Sequence, residues 1–392
     1  DLLDMEVTFA REKETAQASG IVDASGWLAS SNGILVDGYE IHAGQNQFGE
    51  RALPWLRIGN RVDGVMNEHG NVLGSYLHGL FDDGQLFAAI AAHIRKLDAT
   101  RFVLAAQDKT PDHSTIYDDS DVIGINYNLP LFDAVHAAYP DKGILASECA
   151  ASGTSRDWNF AANAYGRVRD KDTQINEWFW NHERTWKHLM QRPYVIGAYQ
   201  WIAFEHRGEA EWPRVCSLSG AIDLFLQKKG AFYQNKAHWT SQPMAHIVPH
   251  WNFAGLEGQN ILVTVYTNCD TLELFLNGES CGKKAIEPYG HGEWEVPYAP
   301  GELRVMGFLA GQAVCEDVRV TTGRPVRLRL HLDNEFEANG RDLALFTCDC
   351  LDAQGRSVPD AAPFVRFSVN APARIVGTGS DNCDHNPVTL PE

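Results

Sequence analysis

A chain of 392 residues carrying a formal net charge of −18 is long enough for two to four domains. That acidity argues against nucleic acid and against an anionic membrane surface as partners, because both call for clustered Lys and Arg. No apolar run reaches the ~20 residues of a membrane span. With neither an initiator Met nor a leader ahead of "DLLDMEVTF", the chain is expected to be an internal or processed piece of cytoplasmic type. Eleven Trp and twelve Tyr supply flat aromatic surface for stacking on sugars or for core packing.

In chain order, "GYEIHAG" (38–44) and "VLGSYLHGLFD" (72–82) are the first informative stretches. Each is a short β-type run that brings a His, His42 or His78, beside a Gly where backbone approaches a ligand closely. Either His is a core residue or part of a site. From about residue 97 the texture changes. Apolar runs at "FVLAAQ" (102–107), "DVIGINYN" (121–128), "GILASE" (143–148) and "YVIGAYQWIAF" (194–204) alternate with helix-capable stretches at 131–139 and 172–191. Such alternation predicts parallel strands with crossover helices, and near-continuous apolar strands predict a sheet buried on both faces. Polar residues gather at the strand ends: Asn126, Tyr127 and Asn128, then Glu148, then Gln200, Trp201, Glu205 and His206. In a barrel that is the catalytic face. Glu148 either opens a solvated loop or is a catalytic carboxylate, and Trp201 is either a sugar platform or core.

Beyond residue 245 the period becomes two. "TLELFLNGES" turns Leu272, Leu274 and Leu276 inward and closes on Asn277-Gly278, a strong hairpin signal. "VRLRLHL" sets Val326, Leu328, Leu330 and Leu332 against Arg327, Arg329 and His331. These patterns predict two β-sandwiches, whose exposed aromatics Trp251 and Trp294 would permit sugar binding; the alternative is that the modules pack on the barrel and support it. The eight cysteines, at 149, 216, 269, 281, 315, 348, 350 and 383, form no C-x-x-C pair and are expected to be reduced and structural. With no H-E-x-x-H, no P-loop and no glycine-rich dinucleotide turn, neither a metal nor a cofactor is expected.

Two resemblances organise these features. Residues 1–96, through "LLDMEVTFAREK", "GYEIHAG", Asp63-Gly64 and "YLHGLFD", resemble the C-terminal part of the glutamine amidotransferase domain of cobyric acid synthases. That likeness implies His78 as the base to a cysteine nucleophile. None of the eight cysteines lies in the glycine-flanked turn such a thiolate needs, so His78 is expected to be idle. The remainder, through "RKLDATRFVLAAQ", "DVIGINYN", "ILASECAAS", "GAYQWIAFEHRGEAEWP" and "YTNCDTLELFLNGES", is similar to the C-terminal half of family 2 glycoside hydrolases, nearest β-galactosidases.

The second resemblance implies retaining hydrolysis of a β-galactoside-like carbohydrate. Glu148 would be the nucleophile, and Asn126, Tyr127, Trp201, Glu205 and His206 would bind substrate. It also requires an acid/base Glu after an Asn on an earlier strand, and no residue here takes that place. Asn67-Glu68 in "MNEHG" reads as a turn, and Glu205, Glu209 and Glu211 belong to the last strand's loop. The expected fold is multidomain, α/β plus all-β. It comprises an amidotransferase-like α/β fragment (1–96), the second half of a (β/α)8 barrel (97–245), and immunoglobulin-like β-sandwiches at 246–322 and 323–392, the last truncated at "VTLPE". The junction "AAIAAHIRKLDATRF" is expected to be one helix in a recombined, metagenomic or misassembled reading frame, and residues 1–96, a second copy or a partner chain to cover the open barrel edge. The alternatives are an inactive chimera that binds carbohydrate or serves as structure, and a remnant of a cobalamin-pathway amidotransferase.

Overall fold

The computed structural model describes residues 2–82, 84–113, 115–151, 153–161, 166–174, 176–210, 214 and 216–379. They form two units, one of residues 1–148 with 192–199, the other of 149–191 with 200–392.

The first unit opens with a six-stranded sheet. Its strands are β1 (Met5–Val22), β2 (Leu35–Phe48), β3 (Leu53–Ile58), β4 (Arg61–Met66), β5 (Leu73–Gly74) and β6 (Leu77–His78), in the order β5-β4-β3-β1-β2-β6. Every pairing in it is antiparallel. The expected α/β fragment is therefore an antiparallel sheet carrying one α-helix, α1 (Gln85–Leu97). The reason lies in the connections. Two residues, Gly59 and Asn60, join β3 to β4, whereas a parallel pair needs a crossover of a dozen or more. Val22, Leu28, Trp55, Leu56, Leu77 and Leu86 fill the core beneath it. Asn67–Gly70 forms the turn expected of "MNEHG", closed by the Gly70 N–H on the Asn67 carbonyl. A Cβ at Gly38 would lie 1.8 Å from the His78 carbonyl oxygen. Gly38→Ala is expected to push β6 off β2 at a cost of about 1–3 kcal/mol, measurable as a lower denaturant midpoint for this unit.

The junction is not one continuous helix. α1 ends at Leu97 because Asp98 is extended and its carboxylate accepts the Thr100 N–H at 2.8 Å. The two sequence segments still share a core, in which Phe87 and Ala91 of α1 pack with Val103 and Ile116. Arg95 of α1 also reaches Asp121 at 2.9 Å.

Next comes a four-stranded sheet of β7 (Leu104–Gln107), β8 (Val122–Asn126), β9 (Ile144–Cys149) and β10 (Val195–Gln200), in the order β10-β9-β8-β7. β7/β8 and β8/β9 pair in parallel, as the alternating pattern predicts. The connections carry α2 (Ile116–Asp119), α3 (Phe132–Ala138) and α4 (His182–Met190). Ile123, Ile125, Ile144 and Ala146 are fully buried, so β8 and β9 match their apolar sequences. β10 does not. Ile196 and Tyr199 are 60% and 66% exposed, since β10 is an edge strand of this sheet. The helix expected over 172–191 is confined to α4. Asn181 caps it by accepting the Arg184 N–H at 3.0 Å, and the Asp172 carboxylate takes the N–H groups of His182 and Glu183 from outside the helix.

In the second unit, α5 (Gly230–Trp239) precedes seven strands: β11 (Ala245–Val248), β12 (Asn260–Thr267), β13 (Thr271–Leu276), β14 (Glu279–Ala285), β15 (His291–Pro297), β16 (Glu302–Leu309) and β17 (Gln312–Val320). They form two antiparallel sheets, β11-β12-β15 and β14-β13-β16-β17. Between them lies a core of Ile247, Val263, Val265, Leu272, Leu274 and Val305. Asn277 and Gly278 take φ of 51° and 84°, the mirror-image turn that two-residue hairpins favour. Trp251 and Trp294 are 1% and 5% exposed, so both pack inside and neither offers a sugar platform.

α4 is tied to this sandwich by charge. His291 Nε2 lies 2.9 Å from Glu293 Oε1, and its Nδ1 lies 2.9 Å from Glu183 Oε2. Although burial opposes it, the two carboxylates raise the His291 imidazolium to about 9, against an ordinary 6.5. Its stabilisation, on the order of 3 kcal/mol, is complete below pH 6.5 and lost as pH climbs through 9. Thermal melts of the chain are expected to fall across pH 7–9, and His291→Gln to flatten that fall.

The last segment departs from expectation. Its described residues contain one antiparallel pair, β18 (Arg327–Leu332) with β19 (Phe346–Leu351). Val326, Leu328, Leu330 and Leu332 are 45–57% exposed. The alternation is real, but no second sheet covers it among the described residues. The closing "VTLPE" and Cys383 lie outside them.

Candidate active site

The C-terminal ends of β8 and β9 bring together three of the residues singled out above. Asn126 pairs with Glu148 in the parallel register, after a shift that follows Ile125. The Tyr127 N–H donates to the Glu148 carbonyl at 2.8 Å, with Tyr127 at φ 54°. Such a left-handed residue turns the chain sharply out of β8, and the Leu129 N–H closes that turn on the Tyr127 carbonyl at 2.7 Å. Ser147 Oγ donates to Asn126 Oδ1 at 2.8 Å, which holds the Asn amide beside the carboxylate strand. Glu148 itself is half-buried, and its carboxylate has no hydrogen-bond or ion-pair partner among the described residues. An uncommitted carboxylate at a strand mouth suits a nucleophile, which must keep a lone pair for the reacting carbon.

In the second unit, Trp201, Glu205 and His206 follow β10. The Trp201 N–H donates to the Cys149 carbonyl at 2.9 Å, the Trp201–Ile202 peptide is cis, and the indole meets the His206 ring edge-on at 5.9 Å. His206 Nε2 approaches Glu209 at 3.3 Å. Gln200 accepts a hydrogen bond from the Asn235 amide. Glu205 is differently placed. Its side chain is fully buried and held by Lys229 Nζ at 2.6 Å, with Lys229 also donating to the Leu218 carbonyl at 2.8 Å. That carboxylate is committed to an ion pair, so it is not poised as a spare acid. Glu211 lies outside the described residues.

His78 is exposed on β6, with Tyr39 opposite it on β2. Its neighbour in the motif, His42, is structural: it stacks on Tyr76 at 4.1 Å and bonds the Gly44 carbonyl at 2.8 Å. Around it, Glu40 meets Arg61 at 2.5 Å, and Asp63 accepts from Ser75 and the Tyr76 N–H. The first cysteine of the sequence is Cys149, so residues 1–148 contain His78 but no thiol.

Sequence reasoning missed a cavity of about 710 Å3 in the second unit, near the start of α5, lined among others by Arg156, Asp170, Lys228, Tyr233, His246 and Arg319. Burial and the neighbouring Asp157 push the buried Asp170 carboxyl up to about 6, while it accepts the Gly230 N–H at 3.0 Å. Only the run of charges in "RVRDKD" could have flagged it. Among the described residues no cluster of His, Cys, Asp or Glu forms a metal site, and no helix is long and apolar enough to cross a membrane.

Different parts of this chain are similar to two kinds of protein. The model of the CobB/CobQ-like glutamine amidotransferase domain matches residues 1–86, the glycoside hydrolase family 2 C-terminal domain 5 matches 328–391, and a domain of unknown function, DUF4982, matches 258–315. Individual relatives agree. β-Galactosidase BoGH2A of Bacteroides ovatus is 28% identical over 356 residues, which is 82% of this chain and 42% of that protein. Cobyric acid synthase of Clostridium acetobutylicum is 42% identical over 85 residues, 21% of this chain and 16% of that one. The crystal structure of a β-glycosidase from Bacteroides vulgatus superposes with a TM-score of 0.60 at 26% identity, over 70% of this chain and 40% of its own. The chain thus spans less than half the length of each of these relatives. It joins a cobyric acid synthase-like amidotransferase segment to a segment similar to family 2 glycoside hydrolases.

Proposed function

We propose that the chain is a portion of a retaining glycoside hydrolase of the β-galactosidase type, with Glu148 as its nucleophile. The observation that carries this reading is the uncommitted Glu148 carboxylate at the end of a parallel strand, beside Asn126 of the next. On this reading, residues 97–245 are the second half of a (β/α)8 barrel, and residues 246–322 and 323–392 are immunoglobulin-like modules. The carboxylate attacks the anomeric carbon, the aglycone leaves, and water later cleaves the glycosyl ester, with two inversions giving net retention. Asn126 and Tyr127 bind the sugar beside the nucleophile. In the second unit, Glu205 supports through Lys229 the loop that carries Trp201 and His206, and it donates no proton to a leaving group. The acid/base carboxylate is assigned to no residue of this chain, and residues 1–96 contribute no amidotransferase chemistry.

The test bypasses that acid. After incubation with a 2-deoxy-2-fluoro-β-galactoside bearing a dinitrophenolate leaving group, intact mass is expected to rise by one fluorogalactosyl group. Peptide mapping should place the group on Glu148, and Glu148→Gln should abolish it. A folded chain that takes no label would sink the proposal and favour a module without chemistry.

A further inference from the structure

The sandwich of the second unit brings two thiols into contact. Cys269 lies in the connection that crosses from β12 in one sheet to β13 in the other, and Cys315 lies on β17. Their Sγ atoms are 3.5 Å apart. The residue between them is Gly307 of β16, which pairs directly with Cys315. A Cβ there would lie 2.6 Å from the Cys315 sulfur and 2.7 Å from that of Cys269, so the two thiols meet only because position 307 is bare. Closing them to a bond requires an approach of about 1.5 Å.

We propose that Cys269 and Cys315 are a modification site, closing to a disulfide when the folded chain meets a small-molecule disulfide such as oxidised glutathione. Cys315 is half-buried and Cys269 is 4% exposed, which sets the order of events. The Cys315 thiol loses its proton and attacks one glutathione sulfur, releasing one glutathione thiolate. Cys269, deprotonated in turn, attacks the Cys315 sulfur of the mixed disulfide and releases the second. The protein loses two electrons and two protons, and oxidised glutathione becomes two molecules of glutathione. Closure would staple the crossover between the sheets to β17, across the 45 residues that separate the two positions. Burial first, and then the neighbouring Cys269, push the Cys315 thiol up to about 12. Closure is therefore slow at neutral pH and quickens about tenfold per pH unit as the thiolate fraction grows.

The experiment treats the folded, reduced chain with oxidised glutathione, then unfolds and alkylates it. Of eight cysteines, six are expected to take the label, with a linked peptide pairing Cys269 to Cys315. Cys281→Ser leaves that link in place and Cys269→Ser removes it. Eight labels, a glutathione left attached to Cys315, or a link between other cysteines would overturn the proposal. So would equal pairing of these two residues in the urea-unfolded chain, which needs no variant to fold.

Discussion

Mixed with 2,4-dinitrophenyl β-galactoside, the chain is expected to release about one equivalent of dinitrophenolate rapidly and then to stall. Dinitrophenolate is a good enough leaving group to depart without a proton, so attack by Glu148 proceeds without a general acid. The second step differs. Water needs a base to lose its proton as it attacks the glycosyl ester, and among the described residues none is assigned that role. The ester therefore accumulates. Azide is already anionic and needs no base, so it should restore turnover and yield the β-configured glycosyl azide. Glu148→Gln replaces a carboxylate by a poor nucleophile, and the burst should fall by about four orders of magnitude in rate. Stopped-flow absorbance of dinitrophenolate reads all three results. A steady linear release that survives Glu148→Gln would exclude this carboxylate as the nucleophile.

Lys229→Met is expected to cost about 3–5 kcal/mol in the stability of the second unit. Both side chains of the Lys229–Glu205 pair are fully buried, 2.6 Å apart. Removing the ammonium strands the Glu205 charge and leaves the Leu218 carbonyl without its donor. The double change Glu205→Gln with Lys229→Met should lose much less, because no unpaired charge then remains at that position. Denaturant unfolding followed by tryptophan fluorescence measures both. Equal losses in the single and double variants would mean that packing, not an unpaired charge, sets the cost.

Much of the architecture was legible because it follows from local periodicity. The alternation of "TLELFL", the Asn277-Gly278 turn and the apolar cores of β8 and β9 reflect side-chain geometry along one strand, and each appears where its residues predict. The position of Glu148 at the end of β9 was equally readable, since a single apolar run ends in it. Period alone could not say which side chains find a partner. Glu205 reads as a loop carboxylate until Lys229, 24 residues later, is seen to bury it. Trp251 and Trp294 read as exposed aromatics, and Val326, Leu328, Leu330 and Leu332 read as the apolar side of an alternating sandwich strand. Their burial depends on whether a second layer covers them, which no single strand encodes.

The likeness to two kinds of protein, the β/α alternation of residues 102–204 and the carboxylate at the mouth of β9 are legible in the sequence alone. These rest on residue type and spacing over a few consecutive positions. Tertiary packing made the first segment an antiparallel sheet and gave α1 a core shared with Val103 and Ile116. It also paired Glu205 with Lys229, left the Glu148 carboxylate uncommitted, and set Cys269 against Cys315 over a bare Gly307. Those outcomes turn on contacts between residues far apart in the chain, where close packing and the cost of an unpaired buried charge select the partner.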